Sequence, residues 1–311
     1  MRRALLSWLV AFALLAAGFG ASVLALNTEL YSAPGFVRGY LDALARGDAE
    51  AALATEGVSL PEGTSATLLT ASTLPDDYRV VSDTTEGDTH AVTVAIDLGS
   101  GTEQAVFHVE RTGTRFGLFP TWRFAATPLA TLAVSVPGDA RFRANGVDAI
   151  AGELAVFAPG RYELDHGSDL LTAPAVDVDV VAPGSRTEAV VEVSPTEVFE
   201  ERAAEAVAGF LGECAAQAVL QPAGCPFGFT EPNRIEGSPT WSITDPPQLS
   251  LVRTDTAGVW RATGTGGTAH LAAQVRSLFD GSVRTLDEAV PLSGDYLVAI
   301  AADGSLTVGG A

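Results

Sequence analysis

The pattern of apolar and polar positions opens with an uninterrupted apolar run from Ala4 to Leu26. Arg2 and Arg3 precede this run, and the next charged residue after it is Glu29. A helix over these positions would be roughly 34 Å long at about 1.5 Å per residue, enough to cross a hydrocarbon core of about 30 Å. The flanking arginines mark the cytoplasmic side. We therefore predict a cytoplasmic stub over residues 1–3, a transmembrane anchor over residues 4–26 and an extracytoplasmic remainder.

A cleaved signal peptide is the alternative interpretation of the same run. Val23-Leu24-Ala25 would serve as its cleavage site, because a signal peptide ends in a short segment with small residues. The apolar part of a signal peptide usually covers about 7–15 residues, and this run is longer. The length favours an uncleaved anchor, while cleavage of the segment stays open.

Beyond the anchor, the apolar spacing becomes that of an amphipathic helix. Pro34 suits the first turn of this helix, and Asp48 predicts the cap of a second, short helix that runs through Leu53. Four apolar residues fall at i, i+3, i+4 and i+7 and define the buried face of the first helix: Val37, Tyr40, Leu41 and Leu44.

From Tyr78 the apolar period falls to two residues, which predicts strands. Strands are expected near residues 78–84, 90–98, 103–111 and 121–126, with glycine-containing turns between them. Two helices followed by a four-stranded antiparallel meander predict an α+β domain over residues 34–126.

The helical period is absent from residues 127–194. Asn145-Gly146 is the strongest short hairpin signal of the chain, because both residues accept the positive φ angles of a tight hairpin turn. We predict a small β-sandwich over residues 127–194, with strands near 130–136, 139–144, 147–150, 153–157, 161–165, 175–181 and 187–193.

A third predicted domain covers residues 195–311 and begins with a helix. Ser194-Pro195-Thr196-Glu197 has the pattern of a capping box with proline at the first helical position, and the helix must end before Pro222. Strand patterns follow, so this domain is also α+β. Residues 269–279 fit a helix face and a strand face equally well, and the surrounding strand patterns favour a strand.

The composition is strongly acidic, with 38 Asp and Glu residues against 18 Lys and Arg residues and a formal net charge of −20. All of the basic residues are arginine. Such a surface argues against binding to nucleic acid and against docking on anionic lipid.

Cys214 and Cys225 are the two cysteines of the chain. In an exported protein such a pair predicts a disulfide, and two free thiols are the alternative. A metal site is not expected, because the sequence has no C-x-x-C motif and its four histidines are scattered.

One glycine-rich segment matches a cofactor motif formally. Residues 264–269, with the sequence GTGGTA, fit the G-x-G-x-x-A fingerprint, and Asp287 follows at about the expected distance. The mechanism of that motif needs a parallel βαβ unit, which the surrounding pattern does not indicate. We predict a glycine-rich hairpin and no bound dinucleotide.

Several other polar and aromatic residues are candidate sites. His90 shares its alternation with inward-facing apolar residues and His108 shares its own with Val106 and Glu110, and ordinary hydrogen bonding is the expected role of both. Asp177 and Asp179 should lie on one strand face, where a solvated polar surface is favoured over a weak cation site. Three tryptophans are expected to anchor sheets, with carbohydrate stacking as the alternative: Trp122, Trp241 and Trp260.

The segment FVRGYLDALARGDAEAAL, followed by strands and by TWRF, resembles the NTF2-like (cystatin-like) domains of exported bacterial proteins. The resemblance covers residues 34–126 and implies a curved sheet that wraps the long helix around a conical pocket. Some relatives use this pocket for catalysis, and many bind a ligand or dimerise. The acid and base residues of the enzymatic relatives have no clear match here. Residues 195–311 resemble an NTF2- or cystatin-like arrangement more distantly.

An anchor followed by β-rich modules with an NTF2-like domain resembles the teicoplanin-resistance-associated family. That family carries a cytoplasmic zinc ribbon before its anchor, which residues 1–3 do not provide, so no cytoplasmic sensing role is expected. We expect a non-enzymatic, single-pass protein of the cell membrane that binds a cell-wall component, a small ligand or another envelope protein, without cofactor or metal. A homodimer stays open. The alternative is an exported enzyme that uses the conical pocket.

Overall fold

The computed structural model describes residues 2–70, 78–99 and 101–310. Helix α1 covers Arg2–Glu29. Its part Ala11–Glu29 is long and apolar enough to cross a membrane, and its side chains there are exposed. An exposed apolar helix near the N-terminus fits a membrane-spanning or a signal segment and not the core helix of a soluble domain.

The next elements are α2 (Ala33–Ala45), α3 (Ala49–Leu53), β1 (Tyr78–Glu86), β2 (Thr89–Asp97), β3 (Thr102–Arg115) and β4 (Phe119–Phe124). The four strands form an antiparallel sheet in the order β1-β2-β3-β4. Ser32 caps α2, and the carboxylate of Asp48 accepts a 3.0 Å hydrogen bond from the backbone nitrogen of Ala51 at the start of α3. The predicted two helices and four-stranded meander are confirmed.

The core beside this sheet forms because one face of α2 and alternate residues of β2 and β3 are apolar. The predicted helix stripe is buried throughout. On the sheet side, burial alternates with exposure along β3, as expected of a strand with one covered face. The principal buried residues are Val37, Tyr40, Leu41, Leu44, Val92, Val94, Ile96, Phe107, Val109 and Phe124.

The following segment is built of strands, as predicted: β5 (Leu129–Ser135), β6 (Arg141–Ala144), β7 (Val147–Ile150), β8 (Gly152–Phe157), β9 (Gly160–Gly167), β10 (Leu171–Val180), β11 (Arg186–Val190) and β12 (Ser194–Pro195). One sheet has the order β11-β5-β8 and another the order β12-β10-β9-β6-β7. Asn145 and Gly146, with φ angles of 49° and 77°, join β6 to β7, so the predicted hairpin is confirmed.

Helix α4 covers Glu197–Ala215. The predicted capping box at Ser194 is wrong, because Thr196 is the N-cap and its hydroxyl accepts a 3.2 Å hydrogen bond from the backbone nitrogen of Phe199. Ser194 and Pro195 instead pair with Thr172 and Leu171 of β10. This strand pairing keeps both residues extended and delays the start of the helix.

After α4 come β13 (Arg234–Asp245), β14 (Gln248–Arg253), β15 (Val259–Arg276), β16 (Val283–Ile300) and β17 (Leu306–Gly310). They form an antiparallel sheet in the order β13-β15-β16-β17, and β14 also pairs with β15. The ambiguous segment 269–279 is strand as far as Arg276, which confirms the strand interpretation.

The chain folds as two compact units. The first comprises Met1–Val134, Arg143–Leu164 and Val176–Ala189, and the second comprises Ser135–Phe142, Asp165–Ala175 and Val190–Ala311. Residues of the predicted β-sandwich, 127–194, belong to both units. The division of the chain into three modules after the anchor stays a prediction.

Candidate functional site

The space between α2 and the four-stranded sheet is filled by aromatic side chains of the protein. Tyr40 packs against Phe107 and Phe124, with ring centroids 6.2 and 5.2 Å apart, and all three residues are buried. Burial raises the pKa of Tyr40 well above that of an exposed phenol. Because these rings make this interior hydrophobic core, the candidate ligand site of this unit is a pocket at its edge.

A surface pocket with a volume of about 570 Å³ lies at that edge. Its size falls within the range of about 300–1,000 Å³ that is usual for small-molecule sites. Its walls come from the residues that follow α1, from the start of α2, from the turn after α3, and from the strands β3 and β4. We call it the β4 pocket, and its lining residues are Leu30, Tyr31, Phe36, Glu56, Thr112, Pro120, Thr121, Trp122 and Arg123.

Hydrogen bonds and ring contacts hold one wall of the β4 pocket against the end of α1. The indole nitrogen of Trp122 donates a 2.8 Å hydrogen bond to the backbone oxygen of Tyr31. The ring of Tyr31 packs on Phe119 with centroids 4.5 Å apart. These contacts tie β4 to the residues that directly follow α1, so the position of the pocket depends on that junction.

The chemistry of the lining is divided between apolar and polar groups. Tyr31, Phe36 and Trp122 offer aromatic surface. The hydroxyl of Thr112 donates to that of Thr121 over 3.0 Å, and Arg123 forms an ion pair with Glu110. Aromatic walls with a few polar groups suit a small molecule that has both an apolar and a polar part.

His90 lies beside this wall. Its ring contacts Trp122 edge to face, with centroids 4.9 Å apart, and its Nδ1 atom is 2.9 Å from the Oδ1 atom of Asp83. His90 is half-buried at the end of the row that contains the buried residues Val92 and Val94. The structure therefore brings a carboxylate and an imidazole together next to the pocket, although neither belongs to the residues that line it.

The second histidine of this sheet does not join His90. His108 pairs with Ala91 across the β2–β3 ladder, and successive residues of a strand face opposite sides of the sheet. His108 is exposed, between the buried residues Phe107 and Val109. The two histidines therefore occupy opposite faces and do not form a common acid/base pair.

Asp177 and Asp179 face an arginine. Arg161 contacts both carboxylate oxygens of Asp179, with the Nε–Oδ1 distance 2.7 Å and the Nη2–Oδ2 distance 3.0 Å. Its Nη1 atom lies 3.8 Å from the Oδ2 atom of Asp177. The guanidinium group of Arg161 offsets the negative charge of these two carboxylates, as a bound cation would. Among the described residues, no group of three or more metal-ligating side chains converges.

The glycine-rich segment 264–269 lies inside the long antiparallel strand β15. The pairing of β15 with β16 shifts its register between Gly264 and Gly267, and Gly266 has a φ of 76°. A β-bulge of this kind uses glycine for its backbone freedom. The predicted glycine-rich hairpin is wrong, because the segment continues β15 through the bulge and precedes no helix.

The structure contains the predicted disulfide between Cys214 and Cys225, with a Cα–Cα distance of 5.7 Å. It joins the last turn of α4 to the segment that carries Phe227, whose ring packs 4.9 Å from that of Trp241. Trp241 and Trp260 are buried and donate hydrogen bonds to backbone oxygens. Both tryptophans belong to the packed interior of the second unit. Their burial leaves no ring face for a sugar to stack on.

The sequence pattern does not predict one buried cluster of polar side chains. Asp139 and His166 are both buried in the second unit, with the His166 Nε2 and Asp139 Oδ2 atoms 3.6 Å apart. Arg141 binds the carboxylate of Asp139 through its guanidinium and backbone nitrogens, and its carbonyl oxygen lies 2.9 Å from the His166 Nδ1 atom. The segment DARFR around residue 139 is the local signal, but the distance in sequence to His166 conceals the pairing.

No protein-family model, curated protein or solved structure matches this chain. The class of this protein therefore rests on its own residues. The chain is an α+β protein with one N-terminal apolar helix and a disulfide in its second unit. The disulfide fits an oxidising, extracytoplasmic environment.

Proposed function

We propose that this chain is a non-enzymatic, single-pass envelope protein whose extracytoplasmic part binds a small amphiphilic molecule in the β4 pocket. The carrying observation is the place of this pocket, which is lined by Leu30 and Tyr31 directly after the apolar helix. An anchored protein would hold such a pocket near the membrane surface, where amphiphilic molecules concentrate.

Two further features support the membrane-anchored reading. The window Ala11–Glu29 of α1 is apolar and contains no buried residue, and a bilayer is the environment that would cover such a surface. The Cys214–Cys225 disulfide fits a location outside the cytoplasm. An NTF2-like assignment of residues 34–126 agrees with this role, because many domains of that type bind ligands without catalysis.

The aromatic packing around Tyr40 also supports a binding role over catalysis. In the proposed NTF2-like assignment, the rings of Tyr40, Phe107 and Phe124 would occupy the conical interior that the enzymatic relatives use. A cell-wall component and another envelope protein are alternative partners for the same binding role. An exported enzyme is the competing function. The observation that favours the enzyme is the contact of His90 with Asp83 beside Trp122.

A pocket-filling substitution tests the binding proposal. The full chain is isolated from its own membranes in lipid nanodiscs, and co-purifying small molecules are identified by native mass spectrometry. Thr121→Trp places an indole in the β4 pocket and should abolish the bound species. Thr84→Trp adds the same side chain at an exposed position of β1 and should retain it. Retention of the species by Thr121→Trp would contradict the proposed site.

A further inference from the structure

The turn between β3 and β4 exposes large apolar side chains. We define the hairpin tip as Arg115, Phe116, Gly117 and Leu118. Phe116 is 80% exposed and Leu118 is 43% exposed. The guanidinium carbon of Arg115 lies 5.4 Å from the centroid of the Phe116 ring. Phe116 is almost fully outside the core and Leu118 is only partly covered, so folding of the protein alone does not account for their exposure.

The backbone of the hairpin tip makes the choice of phenylalanine still less favourable. Phe116 and Gly117 have φ angles of 56° and 69°, and the Leu118 nitrogen donates a 3.2 Å hydrogen bond to the Arg115 oxygen. This is a turn of the I′ type, which favours Asn-Gly, and a bulky side chain is an outlier at positive φ. The chain uses the favoured pair Asn145-Gly146 at φ angles of 49° and 77° elsewhere. Strain of this kind at an exposed site points to function.

The hairpin tip is attached to the outer end of the apolar helix. The side-chain nitrogen of Asn27 donates a 3.0 Å hydrogen bond to the backbone oxygen of Leu118. Asn27 lies within the membrane-compatible window Ala11–Glu29. Phe119, the next residue of the hairpin, packs against Tyr31. If α1 crosses a membrane, these contacts place Phe116 and Leu118 at the level where the helix leaves the hydrocarbon.

The charge of the hairpin differs in sign from that of the whole chain. Residues 111–124 contain Arg111, Arg115 and Arg123 and no acidic residue, although the net charge of the chain is −20. Aromatic residues and arginines are the side chains that favour the boundary between lipid headgroups and acyl chains. Basic residues at that depth also attract anionic lipids.

We infer that the hairpin tip is a second membrane contact, in which Phe116 and Leu118 enter the interfacial layer of the outer leaflet and Arg115 meets anionic headgroups. The inference rests on the proposed role of α1 as an anchor and deepens it. Two contacts at different points fix the orientation of the β4 pocket relative to the lipid surface. The local charge makes the hairpin an exception to the expectation that this acidic protein avoids anionic lipid.

Depth-dependent fluorescence quenching tests the contact in the full chain. Both native cysteines form the disulfide, so one introduced cysteine provides a single thiol for an environment-sensitive dye. Labelled Phe116→Cys is reconstituted in phosphatidylcholine–phosphatidylglycerol vesicles that contain lipid with a nitroxide near the top of its acyl chain. Labelled Ala21→Cys reports whether α1 is embedded. Labelled Phe279→Cys is the matched control, because Phe279 is a 99% exposed aromatic residue in the second unit.

We expect quenching at positions 116 and 21 and none at position 279. Quenching at 21 without quenching at 116 would overturn the hairpin contact and leave the anchor intact; the tip would then suit a protein partner. Failure of the chain to float with vesicles, with no quenching at 21, would overturn the anchor and the hairpin contact together. Equal quenching at 116 and 279 would show unspecific adhesion and would overturn the inference.

A second variant separates membrane contact from folding. Phe116→Asn restores the residue that a type I′ turn favours, so it should raise the melting temperature of the protein. With the dye at Leu118→Cys, this variant should lose quenching, whereas Phe279→Asn with the same label should keep it. A Phe116→Asn protein that melts higher and is still fully quenched at position 118 would contradict the role of Phe116.

Discussion

The indole nitrogen of Trp122 lies 2.8 Å from the backbone oxygen of Tyr31 and donates a hydrogen bond to it. This bond joins the middle of β4 to the second residue after α1, across one wall of the β4 pocket. Trp122→Phe removes the donor and should lower the free energy of unfolding by about 0.5–1.5 kcal/mol. It should also weaken binding of the molecule that co-purifies in the pocket.

A matched tryptophan in the second unit controls for the loss of stability. Trp241 donates an equivalent 2.8 Å hydrogen bond to the backbone oxygen of Val219. Trp241→Phe should destabilise the protein to a similar extent in urea titrations but leave ligand binding unchanged. If both variants lose the ligand equally, the loss follows from stability, and Trp122 has no specific role in the pocket.

The topology of the chain gives the next prediction. A reporter fused after Ala311 should be active only outside the cytoplasmic membrane, and the protein should sediment with membranes at its full mass. Helix α1 supports this expectation because its window Ala11–Glu29 is long and apolar enough to span a bilayer. Release of a soluble species shorter by about 25 residues would instead identify the helix as a cleaved signal peptide.

The histidines test the competing enzyme function. Changing both His90 and His108 to alanine should leave the cellular role of the protein intact, because they lie on opposite faces of the sheet and form no common acid/base set. The contact of His90 with Asp83 is partly solvated, and such pairs contribute about 0–1 kcal/mol to stability. Complementation of a deletion strain measures the role. Loss of the role with an unchanged melting temperature would revive the enzyme.

Local sequence patterns predict those parts of the fold in which local forces decide the outcome. The stripe of α2 is buried as predicted, because helical spacing alone places its residues on one face. Asn145-Gly146 forms its hairpin because both residues accept positive φ. Two overlapping caps compete at the start of α4, and the pairing of Ser194–Pro195 with β10 decides in favour of Thr196.

Local sequence patterns do not predict the candidate site. The lining of the β4 pocket comes from Leu30 to Phe36, from Glu56 and from Thr112 to Arg123, and nothing in any one of these segments indicates the others. The same holds for Asp139 and His166, which meet only after β6 and β9 have paired. The Phe116-Gly117 turn was also missed, because the sequence rule for such turns looks for asparagine and not for phenylalanine.

Asp139 should make the stability of the protein sensitive to acid. Burial alone would raise the pKa of this carboxyl, but hydrogen bonds from the Arg141 side chain and from two backbone nitrogens outweigh it, so the pKa lies below its usual value. A carboxyl with a depressed pKa stabilises the fold above the pKa of the unfolded state, near 4, and loses this contribution as the pH falls through its folded pKa.

Asp139→Asn keeps the shape of the side chain and removes its charge. It should lower the free energy of unfolding by about 1.5–3 kcal/mol at neutral pH, the usual range for a hydrogen bond to a charged group. Urea titrations at pH 7 and at successively lower pH below 4 measure this difference, which should shrink with acidification. Asp303→Asn is the exposed comparison, since Asp303 accepts hydrogen bonds from Ser305, two residues further on, and its loss should cost less than that of the buried Asp139. A difference for Asp139→Asn that is independent of pH would contradict the prediction.

The disulfide gives the last prediction. Cys214 ends the buried face of α4, while Gly209 and Gly212 weaken the helix before it by roughly 0.5–1 kcal/mol each relative to alanine. The bridge to Cys225 closes a short loop and restricts the unfolded chain. Changing both cysteines to serine should therefore lower the free energy of unfolding by about 2–4 kcal/mol.

This loss should be confined largely to residues 196–311, because the bridge pins α4 to the segment that covers Trp241 with Phe227. Hydrogen exchange measured by mass spectrometry on the full chain should show faster exchange there and unchanged protection in β1 to β4. The single variants Cys214→Ser and Cys225→Ser should each match the double variant in stability, because either one breaks the bridge. Two thiols that alkylate in the native, oxidised protein would refute the disulfide itself.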